Sequence, residues 1–173
     1  MADKYNTLES GKEVNREATV VSSGVSEAGD IVALGTDGKL DESVLPVGVG
    51  PDVKVAPASE NLSAGDYVNL FDAGSGVVNA RLADNSNGRE AYGFVKEAVT
   101  SGSNATVYFE GPNTDASAAL PGQRAYLGTG GAATTTPVDP DTAANGTLHQ
   151  LLGSYVDTNE INTDIDDCVV IEN

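Results

Sequence analysis

Few residues in this chain could support acid–base or nucleophilic chemistry. His149 is the sole histidine of the 173 residues, and Cys168 is the sole cysteine. A Ser–His–Asp or Cys–His arrangement would have to use His149, because imidazole is the base in both. His149 follows Leu148 and precedes Leu151 in an apolar segment, a setting that is typical of a strand and not of a turn beside a nucleophile. We therefore predict a structural histidine and no catalytic residue.

Oxygen ligands for a hard cation recur at every second position near the C-terminus. Asn162, Asp164 and Asp166 alternate with a threonine and an isoleucine, a spacing that suggests calcium. The segment departs from the EF-hand loop, because Asp167 occupies the position of its glycine and Asn173 the position of its final glutamate. We expect a polar strand face here and no metal site.

Other cofactor and substrate motifs are incomplete. The glycine-rich run 128–131 lacks the Lys–Ser/Thr pair and the following helix of a phosphate-binding loop. One cysteine and one histidine do not make a zinc site. Carboxylates are plentiful, but no pair stands out as the acid and base of a glycosidase, and the chain has no Trp to stack on a sugar. We predict no cofactor and no enzyme activity.

The charge of the chain limits its partners. The formal net charge is -17, and no Lys or Arg follows Arg124. Phosphates and anionic lipids bind through Lys and Arg, so we expect neither nucleic acid nor membrane as a partner. No apolar run approaches the ~20 residues of a membrane span. Residues 1–5 lack the features of a secretion signal, which favours a cytoplasmic product.

The central stretch 59–111 has the pattern of a β meander. Short β-branched and aromatic segments alternate with clusters of Gly, Asn, Asp and Ser, too frequently interrupted for helices. We predict an all-β fold, with a small β-barrel or sandwich-like domain over residues 51–173. The predicted strands are 67–71, 77–82, 91–95, 105–110, 123–127, 147–156, 160–165 and 168–171, with an edge pairing at 134–136 and a linker at 111–122.

The first 50 residues have a different character. Residues 1–17 are polar, with only Tyr5, Leu8 and Val14 as apolar anchors, which predicts an extended or disordered arm. A short helix over residues 8–16 is the alternative. Short strands at 18–21 and 31–34, one helical turn before Pro46 and a hinge at 47–51 complete this region. We therefore divide the chain into an extended, mostly irregular N-terminal arm and hinge, residues 1–50, and a β domain, residues 51–173.

One short sequence occurs twice in similar form. Residues 28–34 (AGDIVAL) resemble residues 64–70 (AGDYVNL), and a glycine-containing turn follows each. The shared feature is a Gly–Asp turn that leads into a strand. Two copies do not form a repeat protein, so we interpret them as one turn solution used twice.

Four segments resemble structural proteins of tailed bacteriophages. They are residues 38–50 (GKLDESVLPVGVG), 58–69 (ASENLSAGDYVN), 88–95 (GREAYGFV) and 105–111 (ATVYFEG). On these segments the chain resembles the phage head decoration, or capsid cement, proteins over roughly residues 38–127. Similar segments also occur in phage fibre proteins.

The resemblance implies a location and partners. It implies a structural virion protein, made in the host cytoplasm, on the outer surface of an icosahedral head. Such proteins often form homotrimers and clamp neighbouring copies of the major capsid protein, and they have no active site.

We expect the arm to supply the contacts with the shell. The apolar residues of its second half are the candidates, and they are Val20, Val21, Ile31, Val32, Leu34, Leu40, Val44 and Leu45. The alternative function is a head-fibre or tail-fibre module that binds a host-surface glycan through exposed tyrosines such as Tyr67, Tyr92 or Tyr155. Their strand-like surroundings favour core or interface roles instead.

Overall fold

A computed structural model describes residues 4–45, 52–74 and 76–172. Within them the chain forms 14 strands and two 3₁₀ turns, so the all-β prediction is confirmed. The chain divides into two compact units, unit 1 (Met1–Gly50) and unit 2 (Pro51–Asn173). The predicted hinge at 47–51 lies outside the described residues.

Unit 1 begins with a regular antiparallel hairpin. Strand β1 (Lys4–Glu9) pairs with β2 (Lys12–Glu17) in unbroken register. Ser10 and Gly11 connect them with φ angles of 51° and 79°, as in the two-residue turns that match strand twist. Residues 4–17 are therefore a hairpin where the sequence predicted an extended, mostly irregular arm, and the alternative helix over residues 8–16 is wrong. The turn pair Ser10–Gly11 was the local signal that we missed.

Residues 18–45 have little regular structure. A parallel bridge joins Thr19 to Val32, and Thr19 exchanges backbone hydrogen bonds of 2.9 Å with Ile31 and Ala33. The strands predicted at 18–21 and 31–34 are reduced to this bridge. A 3₁₀ turn covers Val25–Glu27, and a second, Glu42–Val44, lies where one helical turn was predicted. Without a sheet beside it, the bridge is not extended into strands.

The first part of unit 2 is a small barrel. Its antiparallel sheet has the order β3-β7-β6-β4-β5, and a parallel bridge between Ala58 and Ala80 joins the end of β3 to β5. Small aliphatic side chains fill the interior, including Val68, Val95 and Val107. The strands are β3 (Val53–Pro57), β4 (Tyr67–Asp72), β5 (Val78–Leu82), β6 (Gly93–Val95) and β7 (Asn104–Tyr108).

A second five-stranded sheet packs on this barrel, with the order β10-β9-β12-β13-β8. Tyr67 and Phe94 of the barrel share a buried cluster with Leu127, Leu152 and Ile161 of the second sheet. A separate two-stranded pair joins β11 to β14. The strands are β8 (Gly111–Asn113), β9 (Arg124–Leu127), β10 (Ala133–Thr134), β11 (Leu148–His149), β12 (Leu151–Asp157), β13 (Glu160–Thr163) and β14 (Val169–Val170).

Burial on both faces explains the apolar runs of the central strands. Tyr67 faces the second sheet while Val68 faces the barrel interior, and both are fully buried. Phe94 and Val95 are divided between the two clusters in the same way. Successive side chains of a strand point to opposite faces, so a strand between two cores needs apolar residues at consecutive positions.

Three boundaries in unit 2 differ from the sequence prediction. Strand β3 was not predicted from the sequence, and the predicted linker at 111–122 contains β8. Asn113 of β8 is buried and donates its amide to the Gly65 carbonyl at 2.9 Å. The strand predicted at 147–156 is divided at Gln150, whose side-chain amide group bonds the backbone N–H and C=O of Ala91 at 2.8 and 3.0 Å. Each difference depends on a partner that is distant in sequence.

Candidate docking surface

Unit 1 exposes apolar side chains instead of burying them. No side chain that the structure describes in residues 4–45 is buried. The large apolar residues that are exposed there form what we call the apolar set of unit 1: Leu8, Val21, Val25, Ile31, Val32, Leu34 and Leu40. Exposed apolar residues mark an interaction site where they form one contiguous patch.

Five of the eight predicted contact residues belong to this apolar set. Val21, Ile31, Val32, Leu34 and Leu40 are exposed. The remaining three are half-buried, namely Val20, Val44 and Leu45.

One residue of the apolar set in the second half of unit 1, Val25, was not among the predicted contacts. Val25 is 92% exposed in the first 3₁₀ turn. An isolated valine between Gly24 and Ser26 has no periodic apolar neighbours, so the sequence contained no pattern that could have identified it.

A half-buried carboxylate organises unit 1. The side chain of Asp30 is 16% exposed, and it accepts hydrogen bonds from Arg16 at 2.9 Å, Tyr5 at 3.2 Å and Thr19 at 3.4 Å. The Tyr5 hydroxyl oxygen in turn accepts a bond from the Ile31 N–H at 3.3 Å. These contacts connect the β1–β2 hairpin to the Thr19 bridge. Polar contacts therefore fix the backbone of unit 1, and its apolar side chains are left on the surface.

An acidic cavity of about 370 Å³ lies in unit 2. Tyr92 lines this cavity. Its hydroxyl donates a 2.5 Å hydrogen bond to Glu90, and this bond raises the pKa of Tyr92. Within the described residues, no three His, Cys, Asp or Glu side chains lie together as metal ligands. The lining includes six carboxylates and neither Lys nor Arg; the carboxylates belong to Asp52, Glu90, Glu110, Asp164, Asp166 and Asp167.

His149 and Cys168 lie in surroundings that favour a structural role over a catalytic one. The ring of His149 lies 5.2 Å from the ring of Tyr126, centre to centre. The Nδ1 atom of His149 is buried and has no hydrogen-bond partner among the residues that the structure describes. Cys168 is half-buried, and this burial, followed by the charge of Glu90, raises the pKa of its thiol. A thiol with a raised pKa is a weak nucleophile at neutral pH.

The three tyrosines considered as glycan contacts have different positions. Tyr67 and Tyr155 are buried in the core between the two sheets. Tyr92 is exposed and lines the acidic cavity. Only Tyr92 of these three is therefore accessible to a ligand.

Helices in the described part of the chain are limited to two short 3₁₀ turns, and neither could cross a membrane.

Comparisons with known proteins give one structural similarity. No family model matches the chain, and no curated protein matches it. Among solved structures, the chain is similar to the head fiber gp8.5 N base of bacteriophage phi29, at 17% identity and a TM-score of 0.42. The similarity covers 69% of this chain and 92% of that chain. The identity and the TM-score are too low to establish a common fold, a family or a function.

Proposed function

We propose that this chain is a structural virion protein that binds the outer surface of an icosahedral phage head. In this proposal it stabilises the head by clamping neighbouring major capsid proteins, and it catalyses no reaction. The resemblance of residues 38–127 to capsid cement proteins supports the assignment to the structural virion proteins. The observation that carries the proposal is the apolar set of unit 1, because a unit that buries none of its described side chains has its apolar residues available for a partner.

The major capsid protein is the partner that we assign to unit 1. Burial of one aliphatic side chain contributes about 1.5–3 kcal/mol. The β1–β2 hairpin adds backbone contacts, because each strand pairs only with the other among the described residues and an isolated hairpin is only marginally stable. An exposed strand edge can extend the sheet of a partner. Copies that are repeated over a shell strengthen such contacts through avidity.

Unit 2 has the outward position in this proposal. Of the 26 acidic residues, 17 follow residue 50, against five Lys and Arg, which suits solvent better than packaged nucleic acid or a membrane surface. We propose that unit 2 associates with itself as a homotrimer on the head. The protein is made in the host cytoplasm and becomes part of the virion there.

Substitution of the apolar set tests the docking proposal. The triple variant Ile31→Thr, Val32→Thr, Leu34→Ser replaces three exposed residues, so its thermal midpoint should match that of the native chain. Its dissociation constant for purified expanded heads should rise by roughly a hundredfold or more, since three apolar contacts are lost. Co-sedimentation with bare heads measures the binding.

A matched control replaces exposed apolar residues of unit 2. The double variant Leu120→Ser, Val156→Thr changes two exposed side chains and should bind heads like the native chain. Native binding by the triple variant would reject unit 1 as the docking element. Failure of the native chain to bind heads at all would reject the function itself.

The alternative function has one observation in its favour. Tyr92 is exposed beside Glu90, Phe109 and Gln150 at the acidic cavity, and aromatic and polar side chains of this kind also occur in sugar sites. A glycan array that returned a ligand lost on Tyr92→Ala, with head binding unaffected, would establish a fibre module that binds a host-surface glycan.

A further inference from the structure

Arg81 is held rigidly on the outer face of the β4–β5 hairpin. Its Nε donates to the Asn69 side-chain oxygen at 2.9 Å, and its Cζ lies 4.2 Å from the centre of the Phe71 ring. Asn69 is only 6% exposed and donates its own amide to the Glu90 carbonyl at 2.9 Å. The guanidinium is therefore oriented before any partner arrives, which lowers the entropy lost on binding.

The remaining donors of Arg81 are unused. A guanidinium has five N–H donors, and Arg81 uses its Nε alone for a hydrogen bond within the described residues. Arg16 and Arg89 both form ion pairs in the same structure, whereas Arg81 has no carboxylate oxygen within 4.0 Å among the described residues. The planar fork of a guanidinium fits a carboxylate through two parallel hydrogen bonds. The same fork also fits a phosphate, and of these two oxyanions only the carboxylate occurs in the side chains of a second copy of this chain.

Unit 2, which contains Arg81, also has side-chain carboxylates with no hydrogen-bond donor among the described residues. Asp164, Asp166 and Asp167 are exposed, and no described residue donates a hydrogen bond to their side chains. The acidic cavity that these three aspartates line has six carboxylates and neither Lys nor Arg, and Lys96 lies with Asp164 in the lining of a neighbouring cavity. A sugar acid fits the site less well, because the guanidinium already covers a face of the Phe71 ring that would stack on a sugar.

We propose that Arg81 binds an aspartate of the 164–167 segment in a second copy of this chain. The inference rests on the self-association proposed above and names the contact that produces it. The contact joins Arg81 of one copy to the aspartates of the next. Repeated head to tail, it forms the closed ring of a homotrimer when the rotation between neighbouring copies closes.

Sedimentation equilibrium of the native chain and four variants tests the contact. Arg81→Lys keeps the charge over Phe71 and loses the fork, and Arg81→Met loses both. Each should raise the dissociation constant of self-association by about tenfold or more, and so should the triple variant Asp164→Asn, Asp166→Asn, Asp167→Asn. Arg124→Met, which removes an exposed arginine without a described partner, should associate like the native chain.

The outcomes separate this inference from the proposed function. Native association by Arg81→Lys or by the triple Asn variant overturns the contact, and so does a native chain that stays monomeric at every concentration. Head binding is measured independently, so a monomer that still binds heads leaves attachment to the head intact and removes only the proposed homotrimer. The Lys variant keeps the test valid if Arg81→Met lowers the thermal midpoint, because it preserves the stack on Phe71.

Discussion

At the scale of single residues, the polar side chains of this protein organise structure. Asp30 connects the hairpin to the rest of unit 1, and Gln150 connects β11 and β12 to Ala91 through two backbone bonds. Tyr67 shares a 3.0 Å hydrogen bond with Thr163 across the core between the two sheets. Each of these hydrogen bonds gives a partner to a buried or half-buried polar group, which without a partner would lower the stability of the fold.

Because of Tyr67, the stability of the folded chain should fall as the pH rises above 10. Burial raises the pKa of Tyr67 from 10.0 to about 12. Above pH 10 the unfolded chain loses this proton before the folded chain does, so the contribution is complete below pH 10 and disappears as pH rises towards 12. The expected loss is on the order of 2 kcal/mol. Urea unfolding of the native chain and of Tyr67→Phe between pH 8 and about pH 12 measures it.

The two chains are compared in how their free energy of unfolding changes with pH, and not in its value at neutral pH. Tyr67→Phe also removes the bond to Thr163, which lowers stability by about 1 kcal/mol at every pH. A phenylalanine variant that loses as much stability as the native chain over this range would show that other groups are responsible.

At the scale of elements, close approach of β6 and β7 shapes the barrel. Val68 and Gly93 are cross-strand partners, and the next residue, Phe94, pairs with Tyr108. A Cβ at Gly93 would overlap the Tyr108 carbonyl oxygen and lie 2.7 Å from the Cγ1 atom of Val107. The absence of a side chain at Gly93 is therefore a requirement of strand spacing.

Gly93→Ala should destabilise unit 2 by about 3 kcal/mol, because the added methyl meets backbone that cannot move without breaking the sheet. Thermal and urea unfolding measure the change. Gly88→Ala is the matched control: its φ is 76° but no atom lies within 4 Å of the added carbon, so only left-handed strain of about 1 kcal/mol applies. Equal effects of the two substitutions would contradict the role assigned to strand spacing.

At the scale of the whole molecule, burial is distributed unequally between the two units. The two clusters of buried apolar residues consist of residues of unit 2, from Ala56 to Ile161. Unit 1 depends on a hairpin, one bridge and the contacts of Asp30. Stability and attachment are therefore assigned to different parts of the chain.

A fragment of residues 47–173 should fold like unit 2 of the intact chain. Both buried clusters remain in the fragment, so its thermal midpoint should lie within a few degrees of the value for the intact chain, by circular dichroism. The same fragment should fail to bind expanded heads. A fragment that unfolds well below the intact chain would show that unit 1 supplies stability to unit 2, and a fragment that decorates heads normally would remove the role of unit 1.

Local sequence was sufficient for the strands of the meander. The β-branched and aromatic segments at 67–71 and 77–82 became β4 and β5 because glycine-rich turns join neighbours in the chain. It was insufficient for β3 and β8, whose partners β7 and β13 are about 50 residues away. The same reasoning found most of the apolar set of unit 1 by residue type, but not its exposure.

The two similar segments, residues 28–34 and 64–70, have similar sequences but different burial in the folded chain. The amino-acid sequence alone determined the β class, the acidic charge and a Gly–Asp turn before each of 31–34 and 67–70. In the folded chain Val68 is fully buried inside a closed barrel, whereas Val32 is exposed beside a single bridge. The tertiary structure decided this difference, because a strand is buried only when distant segments cover both of its faces, and no local pattern specifies those segments.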